Sequence, residues 1–154
     1  MTTETTFTCS TIQQLNGLQM LEILELRSKV FVIEQQCIYQ DPDHFDGLPD
    51  TRHLCAWQNG QLAGYLRVLP PRSTYDEPSL GRVVVDPAFR GQGLAQQLVQ
   101  RGLEELYAFW PSTDVVIGAQ VYLQKFYASL GFVAEGDAYI EDGIPHITMR
   151  RQLK

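Results

Sequence analysis

Basic residues are scarce. The 154-residue chain carries 12 Lys and Arg against 18 Asp and Glu, a formal net charge of −6 with an isoelectric point near 4.9. That balance counts against nonspecific attraction to nucleic acid or to an anionic membrane surface, whereas a cationic ligand would be tolerated. Cysteine is scarce too: Cys9, Cys37 and Cys55 are odd in number and widely spaced, so no disulfide framework is expected and reduced thiols are. No apolar run approaches the roughly 18 residues of a bilayer-spanning helix. Residues 1–6 lack both the cationic start and the apolar stretch of a secretory leader, so the expected location is cytoplasmic. Internal repeats and low-complexity tracts are missing. His44, His53 and Cys55 have no metal-ligand spacing, and no metal is expected.

What is present suits a single domain over residues 1–154. The apolar fraction is 44 % and the charged fraction 19 %, enough to build a core at this length. Leu15, Leu18, Leu21, Ile23, Leu24, Leu26, Val30 and Phe31 recur at helical spacing and predict a helix over 10–35, with Ser10 or Thr11 as its cap. The stretch 36–50, with Pro42, Gly47, Pro49 and several Asp, reads as a surface loop. Strands at 53–57 and 62–69 flank Asn59-Gly60, a pair suited to a tight hairpin. The Pro-rich stretch 70–78 breaks regular structure before the apolar strand 80–85. A helix from Leu94 to about Trp110, a strand at 115–119 and a helix at 122–130 follow. Two closing strands, 132–140 and 144–150, meet at Asp142-Gly143. Helices interleaved with these strands imply an α/β layered domain with a mixed sheet.

The richest motif is the strand-turn-helix segment Gly81-Arg-Val-Val-Val-Asp-Pro-Ala-Phe-Arg-Gly-Gln-Gly-Leu-Ala95. The first N–H groups of a helix lack partners and sit at its positive end, so Gly91 and Gly93 would let an anion approach them closely. A diphosphate fits that description. A Walker loop is excluded, because no Gly-Lys precedes Ser or Thr. A dinucleotide fingerprint is disfavoured: Gln96 stands where a third small residue is needed, and the turn is too long. What remains, Arg90-Gly91-Gln92-Gly93-Leu94-Ala95, resembles the (Arg/Gln)-x-x-Gly-x-(Gly/Ala) signature of GNAT N-acetyltransferases, which holds the pyrophosphate of coenzyme A.

Further segments extend the resemblance. Phe126-Tyr127-Ala-Ser-Leu-Gly131-Phe132 is similar to the family's aromatic-Tyr-x-x-x-Gly-Phe helix end. The pieces Leu26-Arg27 to Gln35, Tyr39-Gln-Asp41, Arg52-His53 and Glu141 to Ile147 resemble the ElaA-type branch. The resemblance implies a GNAT fold with six to seven mostly antiparallel strands, and acetyl-coenzyme A as cosubstrate. It also implies a bulged fourth strand whose backbone at Val83, Val84 and Val85 meets the cofactor, with the N–H near Val83 polarising the thioester carbonyl. Tyr127 is then the general acid for the departing thiolate, which its ordinary pKa of about 10 permits. Gln120 stands where many members place an Asn against the cofactor, which leaves that contact less defined.

Amine attack on a thioester needs a neutral nucleophile and hence a base. Glu34 and His146 are the catalytic candidates, Glu34 requiring burial to raise its pKa. His53, Asp41 and Glu141 are acceptor-site candidates. Glu34, Asp41, Asp43, Asp46 and Asp50 crowd the segment between Val30 and Thr51 without a Lys or Arg, which would draw a cationic amine. The expectation is acetyl transfer to a small-molecule or peptide amine, with no nucleic-acid or membrane partner and a homodimer allowed for. The alternative is a non-catalytic acyl-coenzyme A sensor.

Overall fold

The chain begins with a strand that its apolar periodicity does not announce. In the computed structural model, which describes residues 4–153, β1 (Thr6–Ser10) pairs antiparallel with β2 (Arg52–Gln58), Thr8 facing Cys55. Ser10 and Thr11 are therefore not helix caps. The helix α1 starts later, at Gly17, and runs to Arg27. A capping box fixes its start: Asn16 Oδ1 accepts from the Gln19 N–H at 2.7 Å, and Gln19 Oε1 accepts from the Asn16 N–H at 3.0 Å. Two N–H groups that would otherwise lack partners are thereby satisfied. Past Arg27 the helix widens into a π-helical segment, Ser28–Glu34. There the N–H groups of Gln35 and Cys37 donate to carbonyls five residues back, at 3.0 and 3.1 Å. Such wide turns are frequent at functional sites.

The hairpin expected at Asn59-Gly60 forms. It joins β2 to β3 (Gln61–Leu69), and both turn residues have positive φ, 52° and 75°. β4 (Ser79–Val85) pairs with β3 and leads into α2 (Leu94–Phe109). β5 (Val115–Gln120), α3 (Gln124–Ser129), β6 (Val133–Glu141) and β7 (Ile144–Arg151) complete the chain, with Asp142 and Gly143 at φ 51° and 76° in the last turn.

The seven strands divide into two antiparallel sheets, ordered β1-β2-β3-β4 and β5-β7-β6. A bond from the Val116 N–H to the Pro78 carbonyl, 3.2 Å, ties the starts of β4 and β5. No ladder continues it, so the two strands part beyond that point. Side chains alternate across the first sheet as a period of two requires. Leu54, Ala56, Leu66 and Val68 pack with Leu94, Leu98, Val99, Leu103 and Leu106 of α2. Cys55, Leu62 and Tyr65 pack with Ile23, Leu26, Val30 and Phe31 from α1 and the π-helical segment. Helices thus cover both faces. Among the described residues no helix is long and apolar enough to cross a membrane.

The segment after the π-helix is not a solvated acidic loop. Arg27, fully buried, places Nε 2.7 Å from Asp41 Oδ2 and Nη1 2.7 Å from Asp46 Oδ1, while its Nη2 reaches the Asp41 carbonyl at 3.0 Å. Arg67 grips Asp43 at 2.7 Å and Asp46 at 3.0 Å. Burial on its own would raise the Asp46 pKa; the Arg27 hydrogen bonds and the Arg27 and Arg67 charges outweigh it and hold the carboxyl well below its ordinary value. A depressed pKa means stabilisation that is complete above about pH 4 and fades as the pH falls below it. Replacing Arg27 by Met is expected to cost about 3–5 kcal/mol at neutral pH, because buried Asp41 and Asp46 each lose one of two arginine partners and keep only Arg82 and Arg67. Urea denaturation measures the loss, which should shrink as the pH is lowered towards 3.

Candidate active site

Where β4 and β5 separate, a cavity of about 760 Å³ opens between them. It is lined by Gly81 to Val85 of β4 and by Ile117 to Gln120 of β5, with the α2 start at one end and the β6–β7 turn at the other. The register of β4 against β3 slips here: Tyr65 faces Val84 and Arg67 faces Gly81, so Arg82 and Val83 bulge out opposite Leu66 alone. Arg82 has φ 51° within that bulge. Val84 keeps its side chain in the core while its main chain borders the cavity, so backbone and side chain serve different purposes at one position.

The loop from β4 to α2 is shaped by its own sequence. Asp86 Oδ1 accepts from the Ala88 N–H at 2.9 Å, Pro87–Phe89 makes a short 3₁₀ turn, and Gly91 and Gly93 take φ 85° and 73°. Gly93 caps α2 without a side chain to satisfy its amides. From Gly91 to Gln96, six consecutive backbone N–H groups find no acceptor among the described residues. A side chain at Gly93 would meet open space, so the glycine is there for its φ and for access to the amides. Gly91, Gly93, Leu94 and Ala95 line the cavity. Gln92 does not, because its side-chain oxygen turns away to accept from Gln58 Nε2 at 2.9 Å.

The comparisons agree with this geometry. A family model described as "Acetyltransferase (GNAT) domain" matches residues 22–153. The chain belongs to the GNAT acetyltransferase family. Protein ElaA of Escherichia coli (strain K12) is 43 % identical over 140 residues, covering 91 % of this chain and 92 % of that protein. Among solved structures, an acyl-CoA N-acyltransferase from Pseudomonas aeruginosa superposes with TM-score 0.91 at 44 % identity, covering 96 % of this chain and 99 % of that one. The Escherichia coli ElaA crystal structure gives TM-score 0.91 at 40 % identity, with 97 % and 100 % covered. The chain therefore shares its fold with these relatives over nearly their whole length.

Within this GNAT site Tyr127 lies on the cavity wall from α3, 6 % exposed and packed edge-on against Phe126 and Phe132. Burial raises its pKa above that of an ordinary phenol, so the hydroxyl stays a donor at any physiological pH. Gln120 lines the cavity, its amide Nε2 3.4 Å from Gln35 Oε1. At the far end stands His146, whose Nδ1 lies 2.7 Å from the Ile144 carbonyl. A carbonyl only accepts, so Nδ1 carries the proton and the neutral ring keeps its lone pair on Nε2. That nitrogen is 3.7 Å from Glu141 Oε2, and both residues border the cavity. The ring stacks on Tyr139 with centroids 5.8 Å apart.

Three other candidates stand differently. Glu34 is exposed rather than buried: Arg90 grips it at 2.6 and 3.0 Å, and those hydrogen bonds lower its pKa, the opposite of what a general base needs. The same pair occupies the Arg90 guanidinium. His53 is fully buried away from the cavity, Nδ1 at 2.7 Å from Tyr65 Oη and Nε2 at 3.0 Å from the Asp46 carbonyl. Burial lowers its pKa, and its role is to brace the core. Asp41 lies under the surface between Arg27 and Arg82, outside the cavity wall. Across 41–46 Arg27, Arg67 and Arg82 match Asp41, Asp43 and Asp46 charge for charge, which leaves exposed Asp50 as the acid of this segment without an ion pair among the described residues.

Sequence reasoning passed over Tyr75, Tyr139 and Arg82. Tyr75 sits in the Pro-rich segment, where no periodicity marks it. Its hydroxyl and that of Tyr139 close over Gly118 of β5, where a methyl group would lie 2.7 Å from Tyr139 Oη and 2.9 Å from Tyr75 Oη. Burial, then Tyr139, raises the Tyr75 pKa, so its phenol remains a neutral donor. Gly118→Ala is expected to push the pair apart at a cost of about 1–3 kcal/mol, read by urea denaturation, with Tyr139→Phe in the same chain recovering part of it.

Proposed function

We propose that the protein moves an acetyl group from acetyl-coenzyme A to a primary amine by direct attack in a ternary complex. The observation that carries this reading is the run of six unpartnered amides from Gly91 to Gln96, at the positive end of α2 and at the mouth of the gap between β4 and β5. Such an array suits a diphosphate, and Gly91 and Gly93 leave the approach clear. The thioester supplies the activated acyl group; the protein supplies position and proton traffic. The β4 edge from Val83 to Val85, which β5 leaves without a strand partner, can pair with an extended ligand arm. An N–H at Val83 would face the thioester oxygen, a kind of donor worth about 2.7–4 kcal/mol in acyl transfer.

His146 takes the proton of the attacking amine at Nε2, with Glu141 beside it to favour the imidazolium that results. Tyr127, across the cavity, donates to the departing sulfur. The acceptor end favours a cation: the arginines there are matched, while Glu141 and Asp142 border the cavity with no Arg or Lys partner among the described residues. An aliphatic diamine should therefore be a better acceptor than an ω-amino acid of similar length.

Free thiol released from acetyl-coenzyme A is followed across a panel of diamines, monoamines and amino acids. Turnover with amines is expected; no release with any of them overturns the reading. Tyr127→Phe should lower kcat about 100-fold with the affinity for acetyl-coenzyme A unchanged by calorimetry. His146→Ala should lower kcat about 100-fold with the affinity for acetyl-coenzyme A unchanged by calorimetry. Gly93→Val, which forces a β-branched residue to positive φ, should weaken coenzyme A binding about 10-fold or more while the far-ultraviolet circular dichroism is retained.

A further inference from the structure

The bulge in β4 is built on a residue ill suited to it. Arg82 adopts φ 51°, a conformation in which a side chain crowds its own backbone and which glycine fills more readily. The neighbouring Gly81 does not take that conformation; Arg82 does. Something outside the strand must hold it there, and its side chain shows what does. The Nη2 of Arg82 donates to the Asp41 carbonyl at 3.1 Å and to Asp43 Oδ2 at 3.4 Å, while its Nε lies 2.9 Å from Asp41 Oδ1 in an ionic contact that makes no hydrogen bond. The guanidinium rests over the Tyr39 ring at 5.6 Å.

The anchor itself is buried and fully bonded. Asp41 is 3 % exposed, and its other carboxylate oxygen is taken by Arg27 Nε at 2.7 Å, while Tyr39 Oη donates to Oδ1 at 2.8 Å. Asp43 is gripped in turn by both terminal nitrogens of Arg67, at 2.7 and 3.0 Å, from the β3 position that faces Gly81 across the ladder. A rigid ionic chain therefore runs from the end of α1, through the 41–46 segment, to the one residue that sets the β4 main chain. Val83 is the next residue, and no partner in β3 takes it.

We propose that Arg82 is a positioning residue for acyl transfer: its guanidinium, clamped by Asp41 and Asp43, holds the bulge that aims the Val83 amide into the cavity. The inference rests on the acetyltransferase reading above. The clamp acts on a hydrogen-bond donor to the reacting carbonyl, so its loss should appear in turnover rather than in binding of either substrate.

Arg82→Gly separates backbone from clamp. Glycine accepts the positive φ without strain, so if φ were all that mattered this variant would stay active. The expected result is that Arg82→Gly and Arg82→Ala both lose about 10- to 100-fold in kcat. The KM for acetyl-coenzyme A and for the amine should stay within about threefold, and kcat should fall by the same factor for short and long amines. Arg82→Lys, which reaches one carboxylate but cannot span two, should fall between these and the wild type. It serves the same comparison if the other two variants do not fold. Asp43→Asn added to Arg82→Ala should cost little more than Arg82→Ala alone. The proposal is overturned by wild-type kcat in Arg82→Gly, by a loss confined to the amine KM, or by a full-strength kcat in Arg82→Lys alongside inactive, unfolded Gly and Ala variants. Absence of thiol release from the wild type itself would instead remove the acetyltransferase reading, and this proposal with it.

Discussion

The fork that Arg27 makes on Asp41 and Asp46 underlies the rest of the structure. A guanidinium with no exposure carries a large desolvation penalty and is stable only where carboxylates and carbonyls meet its donors. Meeting it requires the chain after the π-helical segment to fold back under α1, bringing Asp43 to Arg67 and Asp41 to Arg82. One buried cation at the end of a helix thus disciplines a segment whose composition alone suggests a loose acidic loop. The same fold-back brings Cys37 to the β6–β7 turn, where its thiol donates to the Asp142 carbonyl at 3.0 Å and draws the two walls of the cavity together.

The cavity depends on a second constraint, the failure of β4 and β5 to pair. They start together at the Val116–Pro78 bond and part beyond it, alongside the bulge at Arg82 and Val83. The opening has a polar entrance of backbone amides at the start of α2, an apolar throat of valines and aromatics, and a far end of phenols, histidine and carboxylate. Each zone has a distinct chemistry.

Much of the fold was legible in the residues. Asn59-Gly60 and Asp142-Gly143 announced their hairpins because positive φ at both turn positions is a local demand that few residues meet. The apolar runs at Leu80 and at Leu94 announced β4 and α2. β1 escaped notice because five residues of alternating Thr, Phe and Cys are too short to outvote the leucines that follow. The start of α1 was misjudged because a capping box at Asn16 and Gln19 lay inside an apolar stretch that already looked helical. Of the cavity wall, the glycine loop, Tyr127 and His146 are residues the sequence singles out. The pairing of Glu34 with Arg90, the burial of His53 and the gathering of Tyr75 with Tyr139 could not be read from it, since each depends on residues 12 or more positions apart.

The sequence by itself determined the family, the local turns and the glycines that leave a row of amides free, because these follow from steric and hydrogen-bonding preferences within a few residues. Only the tertiary structure decided which acidic groups are neutralised, which histidine keeps a lone pair facing the cavity, and what holds Arg82 in its bulge. Charge and protonation are settled by neighbours in space, through solvent exclusion and the reach of an ion pair, and the order of residues along the chain does not contain those neighbours.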